Sequence, residues 1–220
     1  MAEKLEDPRT TSERVLRAAE ALFAERGFET VSLREITGAA EANVAAVNYH
    51  FGSKEKLVDA VVERHVTPIN RERLRLLDEF ERGQGEGAVP VRRILEAFLA
   101  PVLRHILSGE MSEYLFGKFM GRLIGERGYS LPQSVRPLFA VMAGRFSGAL
   151  RKAVPELSEE GALWRMHFSF GVMSNTLTHG DTLRQISGGR SGEPTMELLF
   201  DQIIEFCAAG IEGAGRRGHE

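Results

Sequence analysis

Residues 43–57 read NVAAVNYHFGSKEKL, a short helix, a tight turn and a helix start packed into one segment. Asn43 is a good N-cap, Val44 to Tyr49 allow barely two helical turns, Gly52 breaks the pattern, and Ser53 caps a much longer helix. A helix this short has no independent stability, so neighbouring helices must hold it. Val44, Val47 and Phe51, spaced three and four apart, supply an apolar stripe to bury. Ala45, Ala46, Asn48, Tyr49 and His50 then share the outward side. Small residues there admit the backbone to a groove, Asn48 offers donor and acceptor to a base edge, and Tyr49 and His50 reach phosphates. Lys54 falls in the first turn of the next helix, where a cation opposes the macrodipole and a bound phosphate would suit it. On the residues alone, a packed corner helix with Tyr49 and His50 half-buried accounts for the stretch equally well.

The flanking chain has the period of helices. Residues 1–9 are polar, carry Pro8, and read as a flexible arm. Thr10 to Glu13 forms a capping box ahead of Val15, Ala18, Ala19, Leu22 and Phe23, and Gly27 stops this first helix. Ser32 to Glu35 forms a second capping box, and Leu33 and Ile36 continue the stripe of a short second helix ending near Ala39. Ala40, Glu41 and Ala42 make the hinge before the third. Ser53 opens a fourth helix with the stripe Leu57, Ala60, Val61 and Arg64; Pro68 is expected to kink or interrupt it before Leu74, Leu77 and Phe80 resume the pattern.

Two short helices followed by YHFGSKEKL resemble the DNA-binding signature of the TetR family of bacterial repressors, closely from Thr11 to about Leu57. The resemblance implies an all-α fold of about nine helices. An N-terminal three-helix helix-turn-helix domain (10–57) would join a larger helical ligand-binding and dimerisation bundle (58–210), followed by a disordered tail (211–220). It implies DNA contacts from Asn43, Ala45, Ala46, Asn48, Tyr49, His50 and Lys54, and backbone contacts from Thr30, Ser32 and Arg34, although helix capping explains Ser32 equally well. The family usually has Gly where Glu41 stands, in the left-handed conformation of the turn, so Glu41 would be strained there.

Electrostatics does not announce a nucleic-acid binder. Net charge is -3, and over residues 1–58 the acidic side chains outnumber the basic ones. Local placement favours the reading instead, with two lysines and one glutamate between Ala42 and Lys56 while Glu20, Glu25 and Glu29 can face elsewhere. Modest non-specific affinity and a strong need for a dimer follow.

From Pro90 onward the chain again reads as helices: about 90–106, 111–126, 132–153, 158–183 and 195–209, with a glycine-rich loop at 188–192. That loop lacks the strand and the Lys-Ser/Thr pair of a phosphate-binding loop. The last two helices are apolar on more than one face, which predicts a homodimer through them, a spacing of roughly 34 to 40 Å between reading heads and a pseudo-palindromic double-stranded DNA operator. The surplus of aromatic and Met residues on the fifth to eighth helices marks a candidate ligand pocket: Phe98, Val102, Tyr114, Phe119, Leu123, Phe139, Met142, Phe146, Phe168, Met173, Asn175 and His179. Taken singly, each is better read as plain core packing. PELSEEGALWRMHF also resembles members of the family that accept a fatty acid or acyl-CoA, with Arg122, Arg145 or His179 to meet an acidic head.

Cys207 stands alone, which excludes an internal disulfide and a thiolate cluster within one chain and reads as a buried structural thiol. No HExxH or G-x-S-x-G occurs, so an enzyme lacks its parts, and neither cofactor nor metal is expected. No apolar run of about eighteen residues and no leader is found, so no membrane partner and a cytoplasmic location are expected. The rival reading is a non-DNA-binding helical dimer that binds a ligand or another protein.

Overall fold

The computed structural model describes residues 8–109, 112–125, 133 and 135–213, the side chains of 8–10, 113, 124 and 125 excepted. Among the described residues the chain is all-helical: α1 Pro8–Arg26, α2 Leu33–Ala39, α3 Val44–His50, α4 Lys54–Gln84, α5 Val91–Leu107, α6 Glu113–Gly125, α7 Arg136–Ala153, α8 Glu159–Ile186 and α9 Met196–Glu212. No helix among them is long and apolar enough to cross a membrane. Helix α1 begins at Pro8, so Pro8 and Arg9 are helical rather than part of an arm; proline suits a first turn, where its missing N–H has no helical partner to lose. Residues 1–7 and 214–220, the remainder of the expected arm and tail, lie outside the described residues. At the other end α9 runs to Glu212 and is capped at Gly213, past the expected stop at 209.

Two compact units are formed, Met1–Val66 with Tyr114–Val135, and Thr67–Glu113 with Arg136–Glu220. The division falls at Val66 rather than at residue 57, and α6 groups with the N-terminal helices. In the first unit α1, α2 and α3 pack on one another around Phe23, Val31, Ile36, Val47 and Leu57. Helix α6 is held to α1 and the turn after it by three kinds of contact. Phe119 meets Phe28 edge-on at 5.9 Å, Lys118 pairs with Glu25 at 2.8 Å, and the Arg122 guanidinium donates to the carbonyls of Ala24 and Glu25. The last contact places a cation on the carbonyl end of α1, where the dipole favours it. Glu20 is buried here, beside His65 at 3.0 Å and Arg64 at 3.2 Å, and Arg64 also forks onto Glu13.

The second unit is built on α5 against α9 and α7 against α8, with Ile94, Leu95, Leu99, Phe146, Leu150, Met173 and Phe200 in its interior. Ser158 and Thr195 cap α8 and α9 through side chains that accept from the amides of Gly161 and Leu198. Helix α8 is kinked at His179 (φ -126, ψ 15) and continues to Ile186, beyond the expected end at 183. Helix α4 is not interrupted by Pro68: it runs 31 residues, with the proline exposed. Proline removes one donor and crowds one carbonyl, and a long helix whose flanking turns are buried absorbs that loss. Around and beyond Pro68 the buried line of α4 is Val66, Ile69, Asn70, Arg73, Leu76 and Leu77, so that of the expected Leu74, Leu77 and Phe80 only Leu77 is buried.

Candidate nucleic-acid interface

The turn between α2 and α3 sets the presentation of α3. The Ala42 amide donates to the Thr37 carbonyl at 2.9 Å and the Glu41 amide to the Gly38 carbonyl at 3.3 Å, the paired bonds of a Schellman ending. Such an ending needs a left-handed residue, and Glu41 supplies it at φ 49. The expected strain is therefore present. Arg14 of α1 answers it: Nε donates to the Ala40 carbonyl at 3.1 Å and Nη2 to the Glu41 carbonyl at 3.4 Å. Sequence reading passed over Arg14, although an arginine beside the buried line of α1 was a visible signal.

Helix α2 starts at a closed capping box. Ser32 Oγ accepts from the Glu35 amide while the Glu35 carboxylate accepts from the Ser32 amide at 2.8 Å, and Arg26 joins the carboxylate at 2.6 Å. The Ser32 amide, the Ser32 hydroxyl and Arg26 hold the Glu35 carboxyl down at about 2. Thr30 Oγ1 donates to the Arg26 carbonyl and closes α1. The two hydroxyls expected at the DNA backbone are thus also structural caps, while Arg34 is exposed.

Asn43 caps α3, its Oδ1 accepting from the Ala46 amide at 2.8 Å. Val47 alone is fully buried on this helix; Val44 is 37% exposed and Phe51 half-buried, so the stripe is narrower than the spacing suggested. A seven-residue helix packed on two others needs only one deep anchor. Ala45, Asn48 and Tyr49, at helical spacing, are exposed together, Tyr49 at 79%, with His50 half-buried and edge-on to its ring at 5.0 Å. The large aromatic and the amide of this short, well-anchored helix therefore stand on the surface and not in the core. Gly52 turns the chain at φ 85, and Lys54 Nζ donates to the Glu29 carbonyl at 3.0 Å. Lys54 thereby ties the start of α4 to the loop after α1.

The twelve ligand candidates are divided between the two units. Tyr114, Phe119 and Leu123 lie in the first unit, where Phe119 also packs edge-on to His65 at 5.6 Å. Phe98 and Phe146 pack as a tilted pair, 5.3 Å between ring centres, in the second unit, where Val102, Met142 and Met173 are also buried and Phe139 is half-buried. Phe168, Asn175 and His179 are exposed. Apolar spacing records burial of some kind and does not separate core from interface or pocket. Two open grooves of the second unit, one lined by Val89, Val154 and Pro155 and one by Arg93, Leu103 and Phe200, include none of the twelve. Two of the three expected head-group partners are also otherwise engaged: Arg122 holds α1, and Arg145 bridges Asp78 and Glu81 at 2.6 and 2.7 Å. Cys207 is buried, which pushes its thiol up.

Comparison with known proteins matches two stretches of the chain. Residues 15–61 match the family model described as bacterial regulatory proteins, tetR family, and residues 96–210 match the tetracyclin repressor-like C-terminal domain. An HTH-type transcriptional repressor of Mycobacterium tuberculosis (strain ATCC 25618 / H37Rv) is 42% identical over 57 residues, 26% of this chain and 30% of that protein. A probable HTH-type transcriptional regulator of Bacillus subtilis (strain 168) is 36% identical over 53 residues, 24% of this chain and 26% of its own length. The chain thus spans less than a third of the curated relatives it matches. Among solved structures, the hemolysin II transcriptional regulator HlyIIR superposes with TM-score 0.59 at 20% identity, covering 91% of this chain and 98% of its own. The fatty acid degradation regulator FadR from Bacillus halodurans gives 0.57 at 13% identity, over 91% and 95%. At those identities the likeness is one of fold.

Proposed function

We propose, from the premise that this chain belongs to the TetR family, that it is a dimeric repressor released from a pseudo-palindromic operator by a small hydrophobic effector. Membership makes it a DNA-binding transcriptional regulator. The observation that carries the finer reading is the exposed Ala45–Asn48–Tyr49 face of α3, anchored from behind by Val47 and fixed in angle by Arg14 and the Glu41 turn. On this reading Asn48 reads a base edge, Ala45 and Ala46 admit the backbone to the groove, and Tyr49, His50, Thr30, Ser32, Arg34, Asn43 and Lys54 position the helix on phosphates.

Dimerisation is supported by the outer faces of α8 and α9. Trp164 and Phe168 stack at 5.7 Å while 51% and 57% exposed, and Phe206 is 69% exposed. Clustered apolar surface of this kind favours a second copy over water. Effector release needs differential affinity for two states. Helix α6 suits the role of messenger, since it grips α1 while its chain neighbours α5 and α7 belong to the other unit.

The test is binding to the intergenic DNA upstream of the chain's own gene across a salt series, with and without Asn48→Ala plus Tyr49→Ala. Tight binding, falling steeply with salt and lost in the double variant, is expected. Weak binding that the variant does not change would leave a helical ligand-binding dimer instead.

A further inference from the structure

Arginine and asparagine belong on the outside of a helix unless something inside needs them. Asn70 and Arg73 lie on the buried line of α4, 0% and 3% exposed. Arg73 Nε donates to the Phe98 carbonyl at 2.7 Å, Nη1 donates to Asn70 Oδ1 at 2.8 Å, and the guanidinium lies 4.4 Å from the centre of the Phe98 ring. These contacts satisfy part of the group and neutralise none of its charge. Among the described residues no carboxylate lies within ion-pair reach of Arg73, and desolvation alone drives its pKa down to about 9. Two buried donors are left over, Arg73 Nη2 and Asn70 Nδ2. The orientation of the amide is fixed, because Oδ1 is the atom that accepts from Arg73.

An unpaired buried cation with two unused donors beside it is costly to keep, and the cost is recovered when an anion arrives. One positive charge matches one negative charge. Two donors on adjoining groups match the two oxygens of a carboxylate. A phosphate dianion asks for more positive charge than Arg73 supplies, and an acyl thioester has no carboxylate at its acyl end. Phe98, packed at a tilt against Phe146, supplies apolar surface for the rest of such a molecule.

We propose that Asn70 and Arg73 are the head-group site of the effector, and that the effector is a free monocarboxylic acid with an apolar body. This rests on the effector-released regulator proposed above and deepens it by naming the ligand chemistry. The free acid, rather than its coenzyme A ester, is the form recognised.

The test is thermal unfolding of the full chain with benzoate, octanoate and dodecanoate, against the matching alcohols and octanoyl-coenzyme A, in wild type, Arg73→Met and Asn70→Asp. At least one acid raises the wild-type midpoint by about 2–6 °C, while its alcohol and the thioester do not. The acid shift disappears in both variants. Without ligand, Asn70→Asp melts above wild type, because it places a carboxylate against Arg73. The proposal is overturned if Asn70→Asp melts lower, if Arg73→Met keeps the acid shift, or if no acid shifts the wild type. Operator release, followed in parallel, separates the two readings. Acids that stabilise the chain without releasing DNA would keep the carboxylate site and sink the switch; alcohols that release DNA equally from wild type and Arg73→Met would keep the switch and sink the site.

Discussion

At the scale of single residues, the turn before α3 holds one backbone angle that its side chain does not favour. Glu41 at φ 49 forgoes roughly 1 kcal/mol relative to glycine. Glu41→Gly is expected to raise the unfolding midpoint by about 2–4 °C, read by scanning calorimetry. Glu35 gives a pH-dependent counterpart. Its folded value, about 2, lies below the ordinary 4.5, so its stabilisation is complete above 4.5 and is lost as pH falls toward 2. In Glu35→Gln the midpoint should therefore vary less with pH between 5 and 3 than in wild type. Both features were legible in the sequence, the box from Ser32 and Glu35 and the strain from a glutamate at a glycine position. Arg73 was not. Assigning the stripe of α4 to Leu74, Leu77 and Phe80 put that arginine on the outside, whereas the line Val66–Ile69–Asn70–Arg73–Leu77 has the same spacing with two polar members.

At the scale of elements, helix positions were readable because caps and glycines mark them, but partners were not. Three expected N-caps, Ser32, Asn43 and Ser53, stand where the pattern put them, and Ser158 and Thr195 cap the helices expected to open there, each with its side chain accepting from an amide; Thr10, expected to open the first helix, lies inside α1 instead. The apolar circumference of α6 said that it is buried, and nothing in it said that Phe119 would meet Phe28, in the turn after α1, some ninety residues earlier. Removing the grip tests its weight. Arg122→Ala takes two charge-assisted bonds from the carbonyl end of α1, and a loss of about 1 kcal/mol is expected. Faster hydrogen exchange should appear in the last turn of α1, with α9 unchanged.

At the scale of the whole molecule, two reading heads are useful only when they are joined. Trp164→Glu with Phe168→Glu alters side chains that are exposed in the single chain, so each chain should fold. The variant is expected to sediment as a monomer and to lose about 100-fold or more in operator affinity, because the second half-site contact is no longer intramolecular. A monomer that kept full affinity would overturn the dimeric reading. The grouping of α6 with the N-terminal helices has a further consequence for anyone building chimeric regulators. The recognition module is discontinuous: its segments come from two separated stretches of sequence, and a transplant of residues 1–66 alone leaves Phe119, Lys118 and Arg122 behind. A grafted head would meet a foreign α6 from its host. Interchangeability among relatives should therefore follow the match at those three positions and at Phe28 and Glu25 rather than overall resemblance of the recognition helix.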